Sequence, residues 1–130
     1  MRKFIQILGG LAISLALIGY TATTASAQNN MKNGEKITVK GEVLDMACYM
    51  AHESKGQKHA SCAKACVKGG APMGVLDSEG NVILIVEDHQ NKDPYEKMKD
   101  LAAQNVSATG VYYNRGGTPG LVLESVEISK

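Results

Sequence analysis

The sequence predicts a mainly β protein: a small barrel with one helix and one cysteine-rich insert. Three observations support this fold class. Several short segments alternate apolar and polar residues with the two-residue period of a half-buried strand. One later segment has a helical pattern behind a helix-start signal, and all three cysteines lie in one stretch after the first strand.

Five segments are predicted as strands because they alternate in polarity, are rich in β-branched residues, or both. The second and third are separated by Asp-Ser-Glu-Gly, a turn sequence that favours a hairpin. The apolar phase shifts within the last segment, which predicts a bulge near Glu124 and Ser125. The predicted strands are residues 36–45, 73–76, 81–86, 106–113 and 120–128.

One helix is predicted between the third and fourth strands. Asp93 can cap its start, Pro94 suits the first helical position, and Glu96 completes a pattern similar to a capping box. The helix is expected to end around residues 104–105.

This element order is that of a small five-stranded OB-like (oligonucleotide/oligosaccharide-binding) barrel with one capping helix and a Cys-rich helical insert after strand one. Gly41 and Gly110 each lie inside a strand, as the bends of a tightly coiled barrel require. An open α+β sheet built from the same elements is the alternative.

The N-terminal residues 1–27 are predicted to be a secretory signal peptide. Arg2 and Lys3 give it a positive start, residues 4–18 are mostly apolar, and Ala-Ser-Ala precedes the cleavage point after Ala27. The sequence therefore predicts an exported protein, periplasmic or secreted, with no stable membrane anchor after cleavage. Residues 28–35 are expected to form a flexible leader, and residues 36–130 the OB-like domain.

Length and charge restrict the number of domains and the classes of ligand that the chain can have. Removing 27 of the 130 residues leaves 103, enough for one compact domain. That part keeps 12 of the 14 Lys and Arg and all 13 Asp and Glu, a formal net charge of −1. It also has no Trp and few aromatic residues, so nothing in its composition favours binding of nucleic acid.

The insert, residues 45–70, carries the candidate functional residues. On a helix, His59, Cys62 and Cys66 are spaced i, i+3 and i+7, which places them on one face. Cys48, at the end of the preceding strand and turn, could complete a Cys3His metal site. Such a closed tetrahedral set suits zinc, and its thiolates also suit copper(I).

Methionine sulfur atoms near the insert favour copper as the bound metal. The thioethers of Met46, Met50 and Met73 are soft ligands, although each is also an ordinary core residue. His52, four residues after Cys48, is a further donor or a solvated surface residue.

Two alternatives stay open for the cysteines. An exported protein folds where thiols oxidise, so Cys48 could pair with Cys62 or Cys66 in a structural disulfide. Cys62 and Cys66 could instead act as a redox pair. The odd number of cysteines leaves one thiol over in either case, which favours metal binding.

The chain contains three short motifs: D-x-x-C-Y at residues 45–49, H-x-x-C-A-x-x-C at 59–66 and G-x-P-x-G at 70–74. These motifs resemble those of a group of small exported bacterial proteins that combine an OB-like barrel with a Cys/His insert. This resemblance implies export and the barrel fold, and little about function. Separately, the Cys-x-x-x-Cys spacing of Cys62 and Cys66 is similar to that of copper-delivery proteins of the cytochrome-oxidase assembly type, which have a different fold.

The protein partner is unknown at this stage, and the predicted ligand is a metal ion. Four protein ligands would close the coordination sphere and leave no position for a substrate. The sequence therefore favours binding, storage or delivery of a metal over catalysis.

Overall fold

A computed structural model describes residues 31–129 of the chain. The predicted signal peptide and residues 28–30 of the predicted leader lie outside the described residues. Among the described residues, no helix has the length and apolar character needed to span a membrane.

Five strands form a closed barrel in the order β1-β2-β3-β5-β4. Neighbouring strands are antiparallel except β3 and β5, which are parallel. The predicted barrel is confirmed, and the open-sheet alternative is wrong. The strands are β1 (Glu35–Asp45), β2 (Met73–Leu76), β3 (Val82–Val86), β4 (Asn105–Arg115) and β5 (Thr118–Ile128).

Two glycines allow the strands to approach closely. A Cβ atom on Gly41 of β1 would overlap the backbone carbonyl of Leu76 in β2. A Cβ atom on Gly110 of β4 would overlap the carbonyl of Val122 in β5. Because any side chain at these positions would push two strands apart, glycine is required by packing at both points.

The bulge predicted in the last strand is present. Thr109 pairs with Ser125, whereas the next residue, Gly110, pairs with Leu123. Glu124 is therefore the extra residue in β5, and its insertion restores the alternation that places apolar side chains inside the barrel.

The helices are short. The insert after β1 contains α1 (Met46–His52), a 3-10 turn (Gln57–His59) and α2 (Ala60–Lys68), and a third helix, α3 (Asp93–Lys99), follows β3. Met98 of α3 is completely buried in the core, and Lys97 donates a hydrogen bond to the carbonyl of Val126 in β5. This packing confirms the predicted capping helix.

The ends of α3 differ from the prediction. The capping residue is Lys92 rather than Asp93, and no side chain caps the helix. Asn91 explains the difference. Its side-chain oxygen accepts a hydrogen bond from the Asp93 amide, so the helix begins one residue earlier than predicted. The helix ends at Lys99, before the predicted end, and Ala103 adopts a left-handed backbone with its amide bonded to the Val43 carbonyl.

Apolar side chains from all five strands, α2 and α3 fill one core. Tyr112 is buried and Tyr113 is only partly buried, as expected for neighbours on a strand. Asn33 and Gly34 hydrogen-bond to β4, so the end of the predicted leader contacts the barrel. The largest fully buried apolar residues are Tyr112, Leu44, Met73, Ile83, Met98, Leu121 and Leu123.

Candidate metal site

Asp45, the last residue of β1, is the buried polar residue at the centre of the site. Its Oδ1 accepts from the backbone amides of Ala47 at 2.9 Å and Cys48 at 3.4 Å, which caps the N-terminus of α1. Its side chain is 0% exposed, and Oδ2 has no hydrogen-bond partner among the described residues.

Cys48 lies in the first turn of α1. The sequence placed it at the end of a strand and turn, and the difference arises because the Asp45 cap starts a helix immediately after β1. The helix buries none of its own residues, so its position depends on its two ends. Cys48 is partly buried, with its sulfur facing α2.

The thiols of α2 converge on Cys48. Ala63 and Val67 are buried and attach α2 to the barrel, and Cys62 and Cys66 lie beside them one helical turn apart. The Sγ atoms of all three cysteines lie within 4.8 Å of one another. Cys62 is exposed and the other two are partly buried. All three are free thiols, so the disulfide alternative finds no support in the structure.

His59 lies on a different element from the one predicted. It lies in the 3-10 turn before α2 rather than on the helix, and its side chain is 18% exposed. Its Nε2 is buried, has no hydrogen-bond partner among the described residues, and lies 3.9 Å from Asp45 Oδ2.

The donor atoms form two groups of three that share one residue. Within each group, the donor atoms are within 4.8 Å of one another. One group is the three cysteines, and the other is Asp45, Cys48 and His59. The two groups share Cys48, so the three cysteines, His59 and Asp45 lie close enough to hold a metal ion.

Two contacts with the barrel hold the loop that carries His59. The amide of Gly56 donates to Oε1 of Glu42 in β1, and the Gln57 side chain donates to the Ala103 carbonyl at 2.7 Å. Because these contacts fix the residues just before His59, the position of the imidazole depends on the closed barrel.

The carboxylate of Asp45 controls the charge of the thiols. Proximity to the Asp45 carboxylate, together with burial, raises the pKa of Cys48 to about 12. Burial and then Asp45 raise the pKa of Cys66. Burial opposes ionisation of Asp45 itself, but the adjacent Cys48 thiol and the hydrogen bonds from the amides of Ala47 and Cys48 keep its pKa below the ordinary value. Without a metal, the site therefore holds an ionised carboxylate beside the protonated thiols of Cys48 and Cys66.

The methionines and His52 have other environments. Met73 is completely buried in the core, and Met50 is 73% exposed. Met46 lies against Gly74, where its sulfur is 2.5 Å from the position that a Cβ would take. His52 is exposed. Packing or solvation accounts for each, so the methionines give no specific reason to favour copper.

Asp45 is a candidate ligand that the sequence pattern does not identify. The available signal was its position: an Asp that ends a buried strand and begins a helix caps that helix and is itself drawn inside. The sequence does not show that the second carboxylate oxygen would be left without a partner, because that depends on where residues 56–59 fold.

Fold and site together define a small β-barrel protein with a helical Cys/His insert whose side chains are close enough to hold a metal ion. No protein-family model matches the chain, and a search of curated proteins finds no match.

Proposed function

We propose that this is a small exported metal-binding protein that holds zinc or copper(I) through Cys48, His59, Cys62 and Cys66, for binding, storage or delivery rather than catalysis. The observation that carries the proposal is the convergence of three free thiols from two helices to within 4.8 Å of one another.

The distances suit a shared ion. Two thiolates bound to one zinc at about 2.3 Å can be separated by at most about 4.6 Å. The three sulfurs lie within 4.8 Å of one another, a spacing that allows them to share one ion. A single disulfide between two of these cysteines would leave the third thiol over.

The residues around the sulfurs support metal binding over a structural role. A cysteine that only fills space is buried in apolar surroundings and is inert. Here Cys62 is exposed and Cys48 faces a carboxylate, neither of which is an apolar surrounding. The predicted signal peptide supports export to a compartment where unprotected thiols oxidise, and a bound ion would protect them.

The test is metal analysis of the mature protein purified from the exporting compartment of cells grown with ample zinc and copper. We expect about one equivalent of metal per chain, and thiol counts that rise from near zero to three when a chelator is added. Less than about half an equivalent of metal would overturn the proposal.

Matched variants locate the site. Cys48→Ser and His59→Ala are expected to lose metal, whereas His52→Ala, which changes an exposed histidine of the same insert, is expected to retain it. Intact mass after alkylation distinguishes the rival state: one disulfide, one free thiol and no metal would identify a disulfide-stapled module instead.

A further inference from the structure

We propose that Asp45 is a direct ligand of the metal through Oδ2, and that this carboxylate makes the site selective for zinc over copper(I). The inference rests on the proposed metal-binding function. It adds Asp45 to the candidate ligands, of which a tetrahedral ion would use four, and it names the ion.

The first argument is that two buried polar atoms lack partners. Oδ2 of Asp45 and Nε2 of His59 are both inaccessible to solvent and without a hydrogen bond among residues 31–129. Buried charged and polar groups are nearly always paired, because an unpaired one has lost its hydration without compensation. Two such atoms that face each other indicate that a third group belongs between them.

The second argument is the distance between these atoms. At 3.9 Å, Nε2 of His59 and Oδ2 of Asp45 are too far apart for a hydrogen bond. Zinc binds imidazole nitrogen and carboxylate oxygen at about 2.0 to 2.2 Å, so two donors of one ion can lie up to about 4.2 Å apart. The Cys48 sulfur lies within 4.8 Å of both and provides the third donor.

The third argument is that the basic side chain within ion-pair distance of Asp45 in the described chain is the imidazole of His59, and an imidazole that binds a metal is neutral. No Lys or Arg of residues 31–129 neutralises the carboxylate, although four other acidic residues there pair with lysines. A divalent ion would supply the charge that this fully buried group lacks.

The donor types indicate which metal is bound. Zinc accepts mixed sulfur, nitrogen and oxygen ligands, whereas copper(I) is selected by soft thiolates and thioethers. A buried carboxylate is a hard donor, and the exposed Met50 and buried Met73 do not extend the sulfur set. The group formed by Asp45, Cys48 and His59 is therefore a zinc set.

The decisive variant is Asp45→Asn. Asparagine is as good an N-cap as aspartate, so its side-chain oxygen can keep the bonds to Ala47 and Cys48 and preserve α1. It replaces Oδ2 with a neutral amide. Asp77→Asn is the matched control, because Asp77 also accepts backbone hydrogen bonds, from Glu79 and Asn81, but in the β2–β3 turn.

Affinities for zinc and for copper(I) are measured by competition with chelators on the mature protein under reducing conditions. Loss of an outer contact to a metal ligand already costs about tenfold to hundredfold in affinity, so loss of a ligand should cost at least tenfold. We expect Asp45→Asn to weaken zinc binding by more than about tenfold and to leave copper(I) binding within about twofold. Asp77→Asn should change neither.

The outcomes are distinct. Equal weakening of both metals would show that Asp45 only positions His59 and the thiols, and unchanged zinc binding would show no role; either result overturns the inference and leaves the metal-binding proposal standing. If the wild-type protein bound neither metal, the proposed function itself would fail. Asp45→Ser, another good N-cap without Oδ2, gives a second test if Asp45→Asn does not fold.

Cobalt(II) spectra add an independent readout. Cobalt replaces zinc in such sites, and its visible bands respond to the identity of the ligands. Replacing a carboxylate ligand in Asp45→Asn is expected to shift these bands, and spectra identical to those of the wild type would contradict direct ligation.

Discussion

At the scale of single residues, Asp45 links the fold to the site. One oxygen of its carboxylate caps α1 and so positions Cys48, and the other faces the His59 ring at 3.9 Å. Both roles require a buried side chain. The residue that begins the insert therefore also places an unpaired carboxylate oxygen inside the site. Asp45 caps the helix through one oxygen and would bind the proposed metal through the other. Asn and Ser are therefore informative replacements, because both can keep the cap.

The raised thiol pKa values predict proton release on metal binding. The pKa of Cys48 is about 12 and that of Cys66 is raised, so both are protonated at pH 7 in the metal-free protein. Only thiolates bind the ion, so each coordinating thiol must lose its proton. We expect zinc affinity to fall as the pH falls, by about tenfold per pH unit for each proton released.

Calorimetry in buffers of different ionisation enthalpy measures the number of protons released. Cys48→Ser, which is expected to lose the metal, is the control and should release no protons when zinc is added at the same pH. A wild-type release of less than one proton would mean that the thiols were already ionised or do not bind the metal.

At the scale of elements, the close contact of β1 and β2 at Gly41 is expected to be intolerant of a side chain. Gly41→Ala would drive a Cβ into the Leu76 carbonyl, and overpacking of this kind costs about 1 to 3 kcal/mol or more. Gly120→Ala is the matched control, because the nearest atom to its Cβ would be 3.6 Å away. Urea unfolding of both variants, with equal m-values, checks the prediction; equal stability would refute it.

The capping helix α3 is expected to depend on one side chain. Met98 is completely buried, so Met98→Ala should destabilise the protein by about 2 to 5 kcal/mol. Met50→Ala removes the same side chain from a site that is 73% exposed and should change stability by less than about 0.5 kcal/mol. Thermal and urea unfolding measure both changes in stability. An equal loss of stability in the two variants would contradict the prediction.

At the scale of the whole molecule, a bound ion would connect three elements. Asp45 ends β1, Cys48 belongs to α1, and Cys62 and Cys66 belong to α2. A ligand that binds only the folded chain stabilises it, by about 2.7 kcal/mol when its free concentration is 100 times its Kd. We therefore expect zinc to raise the unfolding temperature of the mature protein, by roughly ten degrees or more for a domain of this size.

The control for this effect is the Cys48→Ser, Cys66→Ser double variant, whose unfolding temperature should not respond to zinc. Measurements under reducing conditions keep disulfide formation out of the comparison. An equal rise in the double variant would show that zinc stabilises the chain elsewhere, for example at exposed His52 or His89.

The sequence by itself determined the element order, the strands, the bulge at Glu124 and the four candidate ligands Cys48, His59, Cys62 and Cys66. These features depend on local periodicity, on turn residues and on the clustering of cysteines, all of which can be read from near neighbours. The start of α3 and the helix around Cys48 were predicted wrongly because hydrogen bonds from nearby backbone amides to the side chains of Asn91 and Asp45 compete with simpler patterns.

Only the tertiary structure decided that the barrel closes and that Asp45 meets His59. These two residues are 14 positions apart, and their side chains come together because contacts from the insert to β1 and to Ala103 fold the intervening loop back. Whether a buried polar atom has a partner depends on every element packed around it. The unpaired oxygen of Asp45, on which our proposal of zinc depends, is therefore a property of the folded molecule.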